Sequence, residues 1–420
     1  MVSSLFFSIK PFELIHSLSM AMDVSTSGIT THLWRVTLIC HSIAEELRLE
    51  CLKREPLLAA ALMHDLGAAS FTEERTQLVN PGSQARLGKS IYQHAERGYA
   101  LLRNSGIFTP LADVVRYHHD CWHGGNPSGL QGEAIPLASR IIHVADRVDV
   151  LVNRNRPILS QREGICEIVQ KESGRMFDPL VVDAFLHRSR MESFWLDQSN
   201  PDYALLLLGK MAEWGACNYT ADEVLGIANL YATMIDNMSP FTATHSHSVS
   251  RVAVLLASGM GFCDTELTMM RIAGLLHDLG KLSIPNAILD KPGPLTLEEM
   301  NIMKQHPYYT YRILEQVEHF SSIASWAALH HETSDGQGYP FKIREADLPL
   351  GSRIMAVADI FVALAEERPY RARLPLDAIR RMMDDSVKAG KINGRCVEAL
   401  FDNCRDAEAI IQENGTRGLA

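Results

Sequence analysis

The strongest constraint on this 420-residue chain is that one polar pattern occurs in it twice. His32, His64-Asp65, His94, His118-His119 and Asp146 mark the first half. His245, His277-Asp278, His306, His330-His331 and Asp359 follow in the same order in the second. Partners are separated by 212 or 213 residues throughout, and Arg156-Pro157 carries the register on to Arg368-Pro369. Five elements in register over such a span make a tandem duplication, so both copies must be compatible with one architecture.

That architecture is expected to be helical. Ile272-Ala273-Gly274-Leu275-Leu276 runs into His277-Asp278-Leu279, with Gly280 as the expected C-cap; Leu58 to Leu66 followed by Gly67 repeats the arrangement. Val249 to Ala257 and Ile354 to Ala365 carry apolar residues at i, i+3 and i+4. Strictly alternating strand patterns are scarce, and loops are marked by Asn80-Pro81-Gly82 and Lys291-Pro292-Gly293-Pro294. The fold class is therefore all-α, a tandem repeat of two helical bundles: 1–198, a linker at 199–221, and 222–420. Gly174 to Phe185 reads as the closing helix of the first.

Composition narrows the function. A hydrophobic fraction of 46% supports a core in each half, and a net charge of −10 disfavours binding to extended nucleic acid. A small anionic substrate would need local positive charge. The eight cysteines form no CxxC pair and read as reduced thiols of a cytoplasmic protein. No apolar run approaches the ~20 residues of a membrane helix. Met1 to Lys10 lacks the basic region of a signal peptide.

Imidazoles and carboxylates without thiolate suit Fe or Mn, with Zn or Ni as alternatives. Seven ligands exceed what one tetrahedral ion uses, so two ions sharing a bridging carboxylate is the economical reading. His277 and Asp278 are adjacent, roughly 100° apart around a helix, and can face one cleft with Asp278 as the bridge. Two such ions can activate water and stabilise charge at phosphorus.

The second half resembles the HD-GYP family, the bacterial branch of the HD metal-dependent phosphohydrolases. The residues that carry the likeness are His277-Asp278-Leu279-Gly280-Lys281, Ile284-Pro285, Lys291-Pro292-Gly293, Met303-Lys304 and His306-Pro307. His330-His331-Glu332, Asp335-Gly336-Gln337-Gly338-Tyr339-Pro340 and Arg368-Pro369-Tyr370-Arg371 complete it. The resemblance implies hydrolysis of a cyclic dinucleotide, chiefly cyclic di-GMP, by a metal-bridged hydroxide to the linear dinucleotide and on to mononucleotides. It assigns His245, His277, Asp278 and Asp359 to one metal, and Asp278, His306, His330 and His331 to the other. Phe241 stands where some members carry a glutamate for a third ion, so a binuclear centre is expected. Lys281 would neutralise a phosphate oxygen, Arg368 and Arg371 would bind phosphate or guanine, and Tyr339 would order the loop or touch the ligand.

The first half keeps every ligand type (His32, His64, Asp65, His94, His118, His119, Asp146) but departs at the substrate positions. Ala68 replaces the lysine, Asn126-Pro127 stands at Gly338-Tyr339, and Leu159 falls where Arg371 would be. It is either a metal-loaded HD domain, with its own substrate or none, or a relic whose ligand set survives for packing or folding; regulation or homodimer formation is the plainer role. His41, His123 and His247 lie off the register and are expected to be structural. Alternatives for the whole chain are a 3′,3′-cyclic GMP-AMP phosphodiesterase, or a catalytically silent cyclic-dinucleotide sensor. A mononucleotide phosphohydrolase is disfavoured by the Gly-Tyr-Pro segment.

Overall fold

A computed structural model describes residues 6–23, 29–68, 91–200, 203, 206–209, 217–238, 244–366 and 373–417. Two compact units divide the chain: Lys10–Ala216, and Met1–Ile9 together with Cys217–Ala420. The division differs from the sequence boundaries at both ends of the first unit. Phe6–Ile9 (β1) pairs antiparallel with Cys217–Thr220 (β2), Phe6 opposite Thr220 and Ile9 opposite Cys217. Phe7 and Ile9 point inward and are buried, the Phe7 ring standing edge-on to Phe320 at 6.1 Å. Four residues are too short for alternation to register in a sequence reading, and the 199–221 linker thus ends in ordered structure.

The first unit contains α1 (Pro11–Asp23), α2 (Ile29–Glu46), α3 (Cys51–Met63), α4 (Ile91–Leu102), α5 (Ala112–Arg116), α6 (Leu137–Leu151), α7 (Arg162–Lys171), α8 (Pro179–Arg188) and α9 (Glu192–Leu196). The closing helix starts later than expected, because Asp178 caps α8 by accepting from the Leu180 amide while Pro179 occupies its first turn. The second unit contains α10 (Ala221–Asp236), α11 (His245–Gly259), α12 (Asp264–Leu276), α13 (Asn286–Leu289), α14 (Leu297–Met303), α15 (His306–Leu314), α16 (Ser321–Ala328), α17 (Leu350–Ala365), α18 (Leu376–Lys388), α19 (Gly394–Asp402) and α20 (Cys404–Arg417). Capping boxes start α10 and α14: Thr220 with Glu223, and Thr296 with Glu299, exchange side-chain and backbone hydrogen bonds.

The duplication is visible in the packing. α2 lies against α3 and α6 in one unit, as α11 lies against α12 and α17 in the other. Ile354, Val357, Phe361 and Val362 of α17 are fully buried, as are Ile141, Val144, Ala145 and Val148 of α6. The register extends upstream of the metal-ligand pattern. Asp23 ends α1 and Asp236 ends α10, 213 residues apart.

Gly67 and Gly280 do not act as C-caps. α12 ends at Leu276, and Gly280 lies inside a short 3₁₀ turn, Leu279–Ser283, with no left-handed backbone. Its role is close approach: a Cβ there would lie 1.9 Å from the His306 carbonyl oxygen, and one on Gly67 would lie 1.9 Å from that of His94. Thr310 ties the same junction, accepting from the Gly280 amide at 2.8 Å and donating to the His277 carbonyl at 3.2 Å. The helix carrying the third histidine therefore presses directly on the turn after His-Asp. Gly280→Ala forces that contact apart and should destabilise the second unit by about 3 kcal/mol, the upper part of the range for overpacking. Urea unfolding of the full chain, compared with Gly293→Ala where a Cβ meets open space, checks this.

Candidate metal centre and active site

Four segments of the second unit converge on the Asp278 carboxylate. His245 comes from the start of α11, His277 and Asp278 from the end of α12, His306 from the start of α15, and His330 from just beyond α16. All are buried. Asp278 is not on the helix proper but at the head of the following turn, which lets its oxygens face two ways. Oδ2 lies 3.2 Å from His277 Nε2 and 3.9 Å from His245 Nε2, while Oδ1 lies 3.5 Å from His306 Nε2 and 4.0 Å from His330 Nε2. Asp359 on α17 closes the first group, its Oδ1 lying 3.2 Å from His245 Nε2 and 3.9 Å from His277 Nε2. Ligand atoms of His245, His277 and Asp359 all lie within 4.8 Å of one another, as do those of His306, His330 and His331.

The imidazoles are oriented from behind. The Nδ1–H groups of His277, His306 and His330 donate to the carbonyls of Gly274, Met303 and Ala327, each three residues back, at 2.8, 2.8 and 2.6 Å. That fixes the tautomer and leaves each Nε2 with a lone pair pointing inward. His277 Nε2, buried without a hydrogen-bond partner, then faces a carboxylate, and His306 Nε2 faces His330 Nε2 at 3.5 Å. Lone pair opposed to lone pair is unfavourable unless a cation sits between. In the second histidine group burial favours neutral rings: it lowers His306 to about 3 and His330 to about 4, and it pushes His331 well down, with His330 and His306 adding to the effect. For Asp278 burial works against ionisation, but His277 and Lys281 outweigh it and hold the carboxyl well below its usual range. Burial opposes charge on His245 too, yet Asp359 and Glu366 raise it to about 10. The donor set fits divalent metal ions.

Several residues that hold this arrangement are not apparent from the ligand pattern. Glu366, beyond the end of α17, accepts from His245 Nδ1–H at 3.0 Å. Ser246 donates to the buried Asp236 at 2.7 Å, tying the start of α11 to α10. Glu332, in the His-His-Glu run, is buried and accepts from the amides of Phe341, Lys342 and Ile343 at 2.6, 3.0 and 3.0 Å, anchoring the loop after Tyr339-Pro340. The sequence offered only a weak signal for this: a carboxylate directly after the His-His pair with a glycine-containing segment following it. Tyr339 stacks on His331 at 4.8 Å, so it covers the second histidine group. Lys281 Nζ lies 2.5 Å from Asp278 Oδ2 and is partly exposed. Arg368, Arg371 and Phe241 lie outside the described residues. Of the histidines off the register, His41 pairs with Glu45 at 3.4 Å on its own helix, and neither His247 nor His123 belongs to the clusters above.

The first unit builds the same constellation. Ligand atoms of His32, His64 and Asp146, and those of His94, His118 and His119, form groups within 4.8 Å. Asp65 again stands between them, Oδ2 at 3.5 Å from His64 Nε2 and Oδ1 at 3.3 Å from His94 Nε2. His64 and His118 donate from Nδ1 to Ala61 and Val115 carbonyls at 2.7 and 2.6 Å. The support of the first histidine has changed hands. His32 Nδ1–H donates to Asp149 at 2.7 Å, and Arg35 and Arg154 bind the same carboxylate.

Both repeats have counterparts in known proteins. Models of the HD domain match residues 29–151 and 229–392, one on each repeat. The chain belongs to the HD-domain family. The 3′3′-cGAMP-specific phosphodiesterase 1 of Vibrio cholerae serotype O1 is 28% identical over 91% of this chain and 89% of its own length. The cyclic di-GMP phosphodiesterase response regulator RpfG of Xanthomonas campestris pv. campestris is 38% identical over 42% of this chain and 47% of its own. A crystal structure of the cyclic GMP-AMP-specific phosphodiesterase V-cGAP3 of Vibrio cholerae superposes with a TM-score of 0.64 at 26% identity, covering 95% of this chain and 98% of that one. The tandem of two HD domains is thus common to this chain and that structure.

Glu332→Gln removes the charge that gathers three amides while leaving every candidate ligand in place. Hydrogen bonds to an ionised group contribute about 1.5–3 kcal/mol, so amide exchange at Phe341, Lys342 and Ile343 should speed up roughly 10- to 100-fold. Elemental analysis of the same sample should show unchanged metal content.

Proposed function

We propose that the second HD domain hydrolyses a cyclic dinucleotide using two divalent transition-metal ions, iron or manganese, with zinc or nickel as substitutes. The observation that carries this reading is the splitting of Asp278, one oxygen toward each histidine group. His245, His277, Asp359 and Asp278 Oδ2 would hold one ion; His306, His330, His331 and Asp278 Oδ1 would hold the other. When bound, such ions supply water activation and charge neutralisation at phosphorus. The chain's own residues do the rest. Carbonyls behind the rings take the Nδ1 protons and aim each Nε2 inward, burial favours the neutral form of His306 and His330, and Glu366 orients His245. Lys281, partly exposed beside Asp278, is proposed to offer its ammonium to a non-bridging phosphate oxygen as that oxygen gains charge. Arg368 and Arg371 are proposed to bind phosphate or base, and Tyr339, stacked on His331, to order the loop over the site or touch the ligand.

Coverage shifts the substrate from cyclic di-GMP toward 3′3′-cGAMP. The relative that spans both repeats is 3′3′-cGAMP-specific by name and the solved structure of like span is cyclic GMP-AMP-specific by name, whereas the cyclic di-GMP enzyme shares less than half of the chain. Cyclic di-GMP is the second reading. The first HD domain, with its own complete donor set, is proposed to hold metal as well. The cysteines are all free and, among the described residues, no helix is long and apolar enough to cross a membrane, which supports a cytoplasmic protein. The acidic balance supports a small substrate over extended nucleic acid.

Product analysis of purified, manganese- or iron-loaded protein with 3′3′-cGAMP and cyclic di-GMP decides the substrate; bound nucleotide without product would make the chain a sensor. Asp278→Ala should lose both ions of the second site and lower turnover by orders of magnitude with helicity retained by circular dichroism. Lys281→Met should lower kcat and kcat/KM together by roughly 30- to 1000-fold at full metal occupancy, the size of a 2–4 kcal/mol transition-state contact. Wild-type kinetics would remove Lys281 from the catalytic set.

Asp65→Ala should leave turnover within about threefold of wild type, since each repeat supplies its own ligands, while lowering metal content per chain. Steady-state kinetics and elemental analysis of one preparation check both parts.

A further inference from the structure

The carboxylate behind the first histidine stands at a different helix position in each repeat, and more than one residue differs with it. In the first repeat it is Asp149 of α6, three residues past Asp146. Val362 of α17 stands 213 residues on, likewise three past Asp359, and is fully buried. Glu366 follows one helical turn later. The register slips by one before Arg156-Pro157, so Glu366 falls opposite Asn153 or Arg154, neither of them acidic. Each repeat thus places one carboxylate in this stretch, the first at the earlier position and the second a turn beyond it.

Helix geometry makes the two placements equivalent. Residues i and i+4 lie on one face, and their side chains lean toward the N-terminal end of the helix. The Glu366 amide donates to the Val362 carbonyl at 2.9 Å, so the last turn of α17 is closed up to this point. A glutamate there, one methylene longer than aspartate, can serve a ring that an aspartate one turn earlier would serve. Glu366 Oε2 accepts from His245 Nδ1–H at 3.0 Å, as Asp149 Oδ2 accepts from His32 Nδ1–H at 2.7 Å. Val362 fills the earlier position with a branched side chain of similar size and no charge.

The surroundings differ in step. Asp149 Oδ1 is bound by Arg35 Nε at 2.7 Å and by Arg154. The counterpart of Arg35 is Ser248, whose hydroxyl donates to the Thr244 carbonyl at 3.0 Å. Glu366 Oε1 is buried and has no hydrogen-bond partner among the described residues. Asp149 therefore divides its charge between an imidazole and two guanidiniums, whereas Glu366 directs its charge at His245. A carboxylate behind a ligating imidazole fixes the ring and strengthens it as a donor.

We propose that Glu366 is a positioning residue for the ion of the His245 group, standing one helical turn beyond the place that Asp149 holds in the first repeat, and that an aspartate at 362 can replace it. This rests on the reading of the second HD domain as a metal centre.

The test compares full-length variants in an Asp65→Ala background, which takes the bridging residue of the first repeat out of the metal count. Manganese is titrated by equilibrium dialysis with elemental analysis. Glu366→Ala should weaken one of two manganese ions by roughly 10- to 100-fold, and adding Val362→Asp should restore it to within about threefold. Glu366→Gln keeps an acceptor and removes the charge, so affinity should fall while the ring stays held. Metal-free protein labelled with 15N-histidine gives a readout independent of manganese. The His245 Nδ1–H signal, assigned by its loss in His245→Gln, should be present in the reference, in Glu366→Gln and in the double variant, and absent in Glu366→Ala. Unchanged affinity in Glu366→Ala, or no return of the signal in a double variant of native helicity by circular dichroism, overturns this inference alone. Should the double variant lose helicity, Glu366→Gln decides, and reference affinity there overturns the inference. A reference protein that binds no manganese overturns the metal reading and the affinity claim with it, while the histidine signal and its rescue decide the placement of the carboxylate.

Discussion

Everything in the second unit is arranged around one buried carboxylate that cannot be content by itself. Asp278 is removed from water and surrounded by imidazole nitrogens, four of them within 4.0 Å, most with their protons committed elsewhere. A carboxylate in such a place needs positive charge on both sides. Lys281 supplies part of it on one side only. The helices that bring the histidines together therefore create an electrostatic demand that hydrophobic packing alone would not tolerate. Bound metal would meet it, and the same positive charge would suit the centre to phosphate.

How closely the backbone must approach to build such a centre is shown by the glycines. Gly280 and Gly67 let the third-histidine helix sit on the turn after His-Asp with no room for a methyl group. Gly274 does the same between α12 and α11, where a Cβ would fall 2.4 Å from Ser250 Cα. Ligand geometry in both repeats is thus set by main-chain contact, which has fewer ways to relax than side-chain packing. The two copies share this skeleton and diverge in what surrounds it: Asp149 in place of Glu366 behind the first histidine, Arg147 in place of Lys281 as the nearby cation.

The candidate ligands, which the fold gathers into clusters, were legible because histidine and aspartate are costly to bury, so their recurrence at one spacing stands out from any packing pattern. The helices around them were legible for the same reason that α17 is buried along one face. What escaped was structure that depends on contacts far apart in sequence. Glu332 looks like an ordinary charged residue until the amides of 341–343 fold back on it. Glu366 and Asp149 do one task from different places, so register comparison misses both. The β1–β2 pair escaped because four-residue strands carry too little alternation, and the partner lies beyond an entire helical unit.

That strand pair changes how the duplication should be pictured. Ile9 and Cys217 are opposite one another in the ladder, so the chain leaves the second unit and returns to it at neighbouring points. In connectivity, the first unit is an insert between the two strands of one hairpin. A domain held by both ends at one place can be lost, exchanged or enlarged without breaking the register of the strands that carry it. The price of that freedom is kinetic: the hairpin can close only after the whole intervening unit has been made, and loop closure over such a length is slow unless the insert folds first and brings its own ends together.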